Sequence, residues 1–286
     1  MRAASIAPRA KAWLQQTRQA HVLYAFERVI NLVNQEAEVL ALASWQIGSG
    51  PFTLLLEDGT FPEGVQVETP LLVFENGFWI GDWLIDAEEA SVWQPVPKWE
   101  SSRNNKANYK WAGMLISDLL EKHAQHDSLA HLVLNPLGTS TLPARIQQAA
   151  EQNFPLLFSG IAEGNPVAVR KAAKALAGLG PGLTPAGDDL LLGVMHGLWA
   201  TRPDAAHFTD AIARAATPRT HVLSAAWLTA GASGEAAEPW HSLVAALAAH
   251  DGQLLEGSVM RILPTGHTSG ADALAGFLGM LQHAPN

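Results

Sequence analysis

The 286-residue sequence contains no cysteine. Disulfides, a thiolate nucleophile and cysteine metal sites are excluded, and a reducing compartment is permitted. Positive charge is also scarce: 18 Lys and Arg stand against 27 Asp and Glu, a net charge of −9. That balance argues against a general binder of nucleic acid or of an anionic membrane surface. The longest uncharged helical stretch, 190–201, is too short to span a bilayer, and the first 15 residues lack the apolar core of a secretory signal. A soluble cytoplasmic protein is expected. Several catalytic signatures are missing as well. No Gly-Lys-Ser/Thr follows Gly182, so there is no Walker loop, and there is no Gly-x-Ser-x-Gly elbow. None of the 11 histidines forms a His-x-x-x-His pair, so no metal site is expected.

The chain is long enough for one large domain or two ordinary ones, and a chain of this size buries roughly 75% of its unfolded surface. Its two halves differ in pattern. Residues 1–19 read as a short helix or a loose arm around Trp13 and Leu14. From His21 the chain reads as strands: 21–33, 39–45, 52–56, 71–74 and 78–85. Asp58-Gly59 marks a turn, and Asn76-Gly77 between two apolar runs predicts a type I′ hairpin. Seven of the ten tryptophans lie at or before Trp111. Trp79, Trp83, Trp93 and Trp99 would suit a sugar or base pocket, but barrel core and rim is the commoner use. Residues 94–110, polar and flanked by proline, read as a linker or exposed loop. From Trp111 the chain reads as helices over 111–123, 143–152, 166–178, 185–201, 206–216, 219–230, 237–250 and 269–282, Ala-rich and closely packed. The expected fold is α+β: an N-terminal antiparallel β-barrel or sandwich-like domain over 1–100, then an all-α domain over 101–286.

One segment stands apart. Six of the ten residues from Gly178 to Gly187 are Gly or Pro, which forbids a helix or central strand there. Asp188 and Asp189 follow at once. Leu190, Leu191, Val194, Met195, Leu198 and Trp199 then recur at helical spacing. Thr184 before Pro185 fits an N-cap and first helical position, with Asp188 as the other candidate cap. A glycine loop feeding a helix start is a ready anion site. The two carboxylates would repel a bare anion, which points to a substrate with mixed groups or to phosphate with Mg²⁺. A helix terminus supplies roughly 0.3–1 kcal/mol, whereas binding at about 10 μM needs roughly 7. Cations must add to it, and Arg170, Lys171, Lys174, Arg219 and Arg261 are the candidates. Lys171 and Lys174 also suit plain placement near a helix C-terminus. Asp189, Gly193 and His196 share a helix face, which turns Asp189 inward, and Gly193 with Gly197 suggests a closely packed neighbour.

A second glycine segment, Thr265-Gly-His-Thr-Ser-Gly-Ala-Asp272, precedes another helix. Both segments read Gly-x-Thr-(Pro/Ser)-x-x-Asp-x-Leu, from Gly182 and from Gly266. Two similar corners facing one site are expected. Ser269 with Asp272 also makes an ordinary capping box, stabilising its helix by about 1 kcal/mol. The site expected from these residues has an anion cradle at Gly180, Gly182, Leu183, Thr184 and Gly187. Asp188 or Asp189 acts on a proton. His267, Thr268, Ser269, Gly270 and Asp272 complete the site from the second segment.

Residues 178–189 and 266–272, with the stretch 219–225 through Gly234-Glu235, resemble the signature of a bacterial family long described only as a domain of unknown function. One branch includes the smaller subunit of an oxamate carbamoyltransferase of anaerobic allantoin breakdown. The resemblance covers most of the chain. It implies carbamoyl transfer between phosphate and the nitrogen of oxamate, in a hetero-oligomer with subunits resembling acyl-CoA ligases. It carries over no catalytic residues and implies no cofactor, although the carboxylates could recruit Mg²⁺. Two other classes fit the same residues: an ATP- and Mg²⁺-dependent small-molecule kinase or ligase, and a non-catalytic ligand-binding subunit.

Overall fold

A computed structural model of the chain describes residues 1–57, 59, 61–134 and 141–284. Asp58 of the expected turn lies outside the described residues. The chain divides into two compact units, one of residues 1–95 with 235–238 and one of residues 96–234 with 239–286.

The first unit contains β1 (Ala3–Ile6), α1 (Pro8–Gln16), β2 (Ala20–Ala25), β3 (Val29–Asn34), β4 (Val39–Ala43), β5 (Thr53–Leu56), β6 (Pro70–Phe74), β7 (Gly77–Ile80), β8 (Trp83–Asp86) and β9 (Ser91–Val92). They form one nine-stranded sheet in the order β8-β7-β6-β2-β3-β4-β5-β1-β9. Its pairings are antiparallel except β4 with β5 and β1 with β9. The sheet curls into a half-barrel, and the end of β8 reaches the start of the chain, where Asp86 N–H donates to the Met1 carbonyl at 2.9 Å. Leu32, Leu40, Leu42, Leu54, Phe78, Ile80 and Ile85 fill the interior with Trp13 and Leu14 of α1. Pro8 starts α1, where a missing N–H costs nothing.

Several local expectations change. The arm over 1–19 is a strand and a helix. Residues 21–33 are two strands bending at Phe26–Arg28, and 78–85 are two strands bending at Gly81, whose φ is +56°. The Asn76-Gly77 hairpin exists, but its turn is not type I′. Phe74 pairs with Gly77, so Glu75 and Asn76 are the turn, and neither Asn76 nor Gly77 has a positive φ. Gly77 is there for another reason: a Cβ on it would overlap the Ile85 carbonyl oxygen of β8.

The second unit has α2 (Trp99–Arg103), α3 (Asn108–His123), α4 (His131–Leu134), α5 (Ala144–Ala162), α6 (Pro166–Leu176), α7 (Ala186–Thr201), α8 (Ala205–Ala216), α9 (Val222–Ala232), α10 (Glu238–Ala249), α11 (Gly252–Ile262) and α12 (Ser269–Gln282). Residues 94–110 are more than a linker. Trp99 is buried and its indole donates to the Gly234 carbonyl at 2.8 Å, while the Ser102 hydroxyl reaches the Ala200 carbonyl at 2.9 Å. Trp99 is thus an anchor of the helical unit, not a barrel residue. Helix α11 is additional to those expected; Asp251 caps it by accepting from Leu254 N–H at 3.0 Å.

Helices α7 and α12 form the centre of this unit. Nearly every residue of each is buried. They touch backbone to backbone: a Cβ on Gly193 would overlap the Ala273 carbonyl, and one on Gly276 would overlap the Leu190 carbonyl. Gly197 meets Met280 in the same way. The close neighbour expected from Gly193 and Gly197 is therefore α12.

Candidate active site

The two glycine segments are built alike. In the first, Leu179 N–H donates to Leu176 O at 3.1 Å, and Gly187 N–H donates to Leu179 O at 2.8 Å. In the second, Thr265 N–H donates to Ile262 O at 3.0 Å, and Gly270 N–H donates to Thr265 O at 3.0 Å. Gly187 lies against the Leu176 carbonyl and Gly270 against the Ile262 carbonyl, each too closely for a side chain. Thus α6–loop–α7 and α11–loop–α12 repeat one arrangement, the first with the longer loop. The structural counterpart of Asp272 is Asp189, because Gly187 matches Gly270 and Gly193 matches Gly276. The sequence match had paired Asp272 with Asp188; the extra loop residues shift the register.

The two loops meet. Thr184 Oγ1 lies 2.9 Å from Ser269 Oγ. This contact replaces both expected caps. The α7 N-cap position is Pro185 and that of α12 is Thr268, and neither helix has a side-chain cap. Thr184 and Ser269 spend their hydroxyls on each other instead.

Beneath that pair lie the acids. Asp189 and Asp272 are buried, and Oδ2 of each has no hydrogen-bond partner among the described residues. Burial raises the Asp189 carboxyl well above the ordinary carboxylate range; the negative charge of Asp272 adds to the rise, and the Ser269 and Thr184 hydroxyls offset part of it. Asp272 is pushed up to about 7 by burial, against the Leu129 N–H, which donates to its Oδ1 at 2.6 Å, and the Thr268 hydroxyl. Burial thus favours the protonated form of both carboxyls.

Asp188 behaves differently. Its Oδ1 accepts from Gly178 N–H at 2.9 Å, and its Oδ2 accepts from the Thr220 hydroxyl. Burial raises this carboxyl too, while those two donors pull it back. Asp188 ties the start of the loop to the turn before α9. Gly178, with φ +69°, lets the chain pass against the Arg219 carbonyl.

His267 stands on the outer side. It is exposed, and its Nε2 lies 2.9 Å from Asp127 Oδ2 and 3.2 Å from Oδ1, the ring N–H donating to the carboxylate. Among the described residues no hydrogen bond engages the backbone N–H groups of Gly180, Gly182, Leu183 and Thr184 in the first loop, or those of Gly266, His267, Thr268 and Ser269 in the second. Gly182 is open to solvent, with φ +95°. Of the expected cations, Arg219 donates from Nε to the Lys174 carbonyl at 3.1 Å and so caps α6. Lys174 lies in the last turn of α6, where a cation complements the dipole.

The structure thus brings together Thr184, Asp189, Ser269 and Asp272, with Asp188 one layer behind and His267 at the edge. Sequence reasoning missed Asp127, Leu129 and Thr220. Thr220 lies in the 219–225 stretch that carried part of the resemblance; Asp127 and Leu129 sit in a plain connector with no local signal. Among the described residues no group of three or more His, Asp or Glu stands where it could hold a metal ion. Two shallow concavities, one along α10 and α11 and one beside α3 and the end of α12, touch none of these residues.

A family model described as oxamate carbamoyltransferase subunit AllH matches residues 176–281, and one described as the AllH family N-terminal domain matches residues 2–92. No curated protein and no solved structure matches the chain.

Proposed function

This chain belongs to the AllH family of oxamate carbamoyltransferase subunits, and from that premise we propose that its two loops hold the site of carbamoyl transfer between phosphate and the nitrogen of oxamate, in cytoplasmic allantoin catabolism. In the degradative direction a phosphate oxygen attacks the ureido carbonyl carbon of oxalurate. The carbon–nitrogen bond breaks, carbamoyl phosphate forms, and oxamate leaves once its nitrogen has taken a proton.

The observation that carries this reading is the Thr184–Ser269 contact, which joins two sets of free backbone N–H groups above two buried acids. Free N–H groups at helix starts suit phosphate and the oxalyl carboxylate. Donors aimed at the tetrahedral oxyanion matter most, and losing one costs about 2.7–4 kcal/mol of barrier. A carboxyl whose protonated form is favoured by burial can give its proton to the departing nitrogen and take it back in the reverse reaction. Asp189 fills that role through the Thr184 and Ser269 hydroxyls. His267, held by Asp127, faces the carbamoyl carbonyl. The reaction as written needs no cofactor. Subunits resembling acyl-CoA ligases complete the assembly.

The test is a complex reconstituted from this chain and its partner subunits, assayed for carbamoyl phosphate from oxalurate and phosphate. Removing a general acid costs about 10²–10⁴-fold in turnover, the loss expected for Asp189→Asn. Full turnover in the Asp189→Asn complex would refute the assignment. Thermal stabilisation by ATP with Mg²⁺ alone, and none by oxalurate or carbamoyl phosphate, would move the site to kinase chemistry.

A further inference from the structure

The outer face of the β6–β7–β8 meander is apolar. Leu72 pairs with Trp79 across β6 and β7, and Trp79 pairs with Leu84 across β7 and β8, so the three side chains form one row. They are 69%, 42% and 37% exposed, and Phe74, two residues along the same face of β6, is 41% exposed. Their neighbours Phe78, Ile80 and Ile85 point the other way and are wholly buried. Single exposed apolar residues are normal; a contiguous row across three strands, with a tryptophan at its centre, is the mark of an interaction surface.

The charge around the row is mainly negative; the positive groups beside it are the Met1 ammonium, which donates to the Leu84 carbonyl at 2.6 Å, and Arg2, which pairs with Glu89 at 3.5 Å. Between Arg28 and Lys98 the sequence has no Lys, Arg or His and eleven Asp and Glu. Glu75 sits in the β6–β7 turn, Asp82 in the β7–β8 turn and Glu88 just past β8; all three are exposed, and no ion pair engages them among the described residues. An apolar centre with unpaired acid at both of its turns disfavours a second copy of itself and fits a partner whose apolar patch is ringed by Lys and Arg.

We propose that this face docks a partner subunit of the carbamoyltransferase, one presenting an apolar patch with a basic rim; the inference rests on the subunit reading above. The test co-expresses the partner subunits with the wild-type chain or with Trp79→Lys, and measures affinity and association rate at two salt concentrations. Trp79→Lys weakens assembly by about 30-fold or more, the effect of losing a central aromatic anchor. Leu72→Ser, the most exposed of the row, gives the same test should the lysine disturb folding. Glu75→Lys with Asp82→Lys slows association and flattens its salt dependence. Met114→Lys, on the exposed face of α3, leaves assembly unchanged. Wild-type affinity in both Trp79→Lys and Leu72→Ser would overturn the surface while leaving the subunit reading intact. A homodimer of the isolated chain that Trp79→Lys dissociates, with partner binding untouched, would overturn it in favour of a second copy. A wild-type chain that fails to assemble with these subunits would overturn both.

Discussion

Gly193→Ala tests whether the α7–α12 contact really is backbone on backbone. An added Cβ would stand 2.6 Å from the Ala273 carbonyl carbon and overlap its oxygen, where ordinary contact begins at 3.4 Å. The obstacle is main chain in a buried helix, so no side chain can swing aside. The helices must separate, at the upper end of the cost of overpacking, about 3 kcal/mol. Alanine returns about 1 kcal/mol of helix propensity, leaving a net loss of about 2 kcal/mol. For a unit of this size that lowers the midpoint by about 4–8 °C. Gly257→Ala is the control. Gly257 lies inside α11 with nothing within 4 Å of its would-be Cβ, so the same substitution stabilises by about 0.5–1 kcal/mol. Urea or thermal unfolding followed by tryptophan fluorescence measures both. The opening should also part Thr184 from Ser269, so Gly193→Ala should lose turnover at temperatures where it remains folded. The reasoning is refuted if the two alanine variants shift the midpoint in the same direction by similar amounts.

Asp272→Asn should become more stabilising as pH rises. The folded carboxyl titrates near 7 and the unfolded one near 4, so the protonated form stabilises the fold below about pH 4, and that contribution is lost as pH climbs to 7. A rise of this size corresponds to on the order of 4 kcal/mol. Neutral asparagine keeps an acceptor for Leu129 N–H and avoids the loss, so its advantage should be near zero at pH 4 and several degrees at pH 8; an advantage flat with pH would contradict the buried acid. Thr220→Val leaves a buried Asp188 oxygen without its donor and should cost about 1–3 kcal/mol in chemical denaturation. Asp127→Asn removes an exposed partner from His267 and should move stability by less than about 1 kcal/mol; a fall in turnover at unchanged midpoint would show that the pair serves chemistry, and a fall in midpoint would show that it serves the fold.

The helical half was legible because its apolar residues repeat at helical spacing and its loops carry Gly and Pro. Helix α11 escaped because Gly252 and Gly257 look like breakers, while its cap, Asp251, acts through a side chain that spacing alone does not flag. In the sheet, β2 to β8 were found, while β1, β9 and the bends were not: Gly77 was read as a turn former, yet its use is to let β8 approach. Both glycine corners were visible, and so was their kinship. Their register was not, because the first loop is longer, and only the packing of Gly187 and Gly270 on the preceding carbonyls aligns Asp189 with Asp272. Asp127 had no local signal at all. It reaches His267 across 140 residues of sequence, and no pattern in one chain encodes such a pairing.

Asp188 and Asp189 show why adjacent identical residues need not share a task. Successive residues of a helix point about 100° apart. On α7 that rotation sends Asp188 toward the loop start and Thr220, where both oxygens have donors, and Asp189 toward α12, where Oδ2 has none among the described residues. A buried carboxylate with its donors in place is a fastening. One with an oxygen left unpartnered in a buried site is costly to keep ionised, which favours its protonated form. Natural interiors rarely retain such an orphan without a use, and here two lie together at the starts of two helices, beneath paired hydroxyls. Structure alone would favour apolar residues at 189 and 272, because hydrophobic replacements of buried charge commonly stabilise. Carboxyls held there against that gradient suit a ligand with N–H groups to bond or a proton to exchange, which is what the proposed transfer at the nitrogen of oxamate would require.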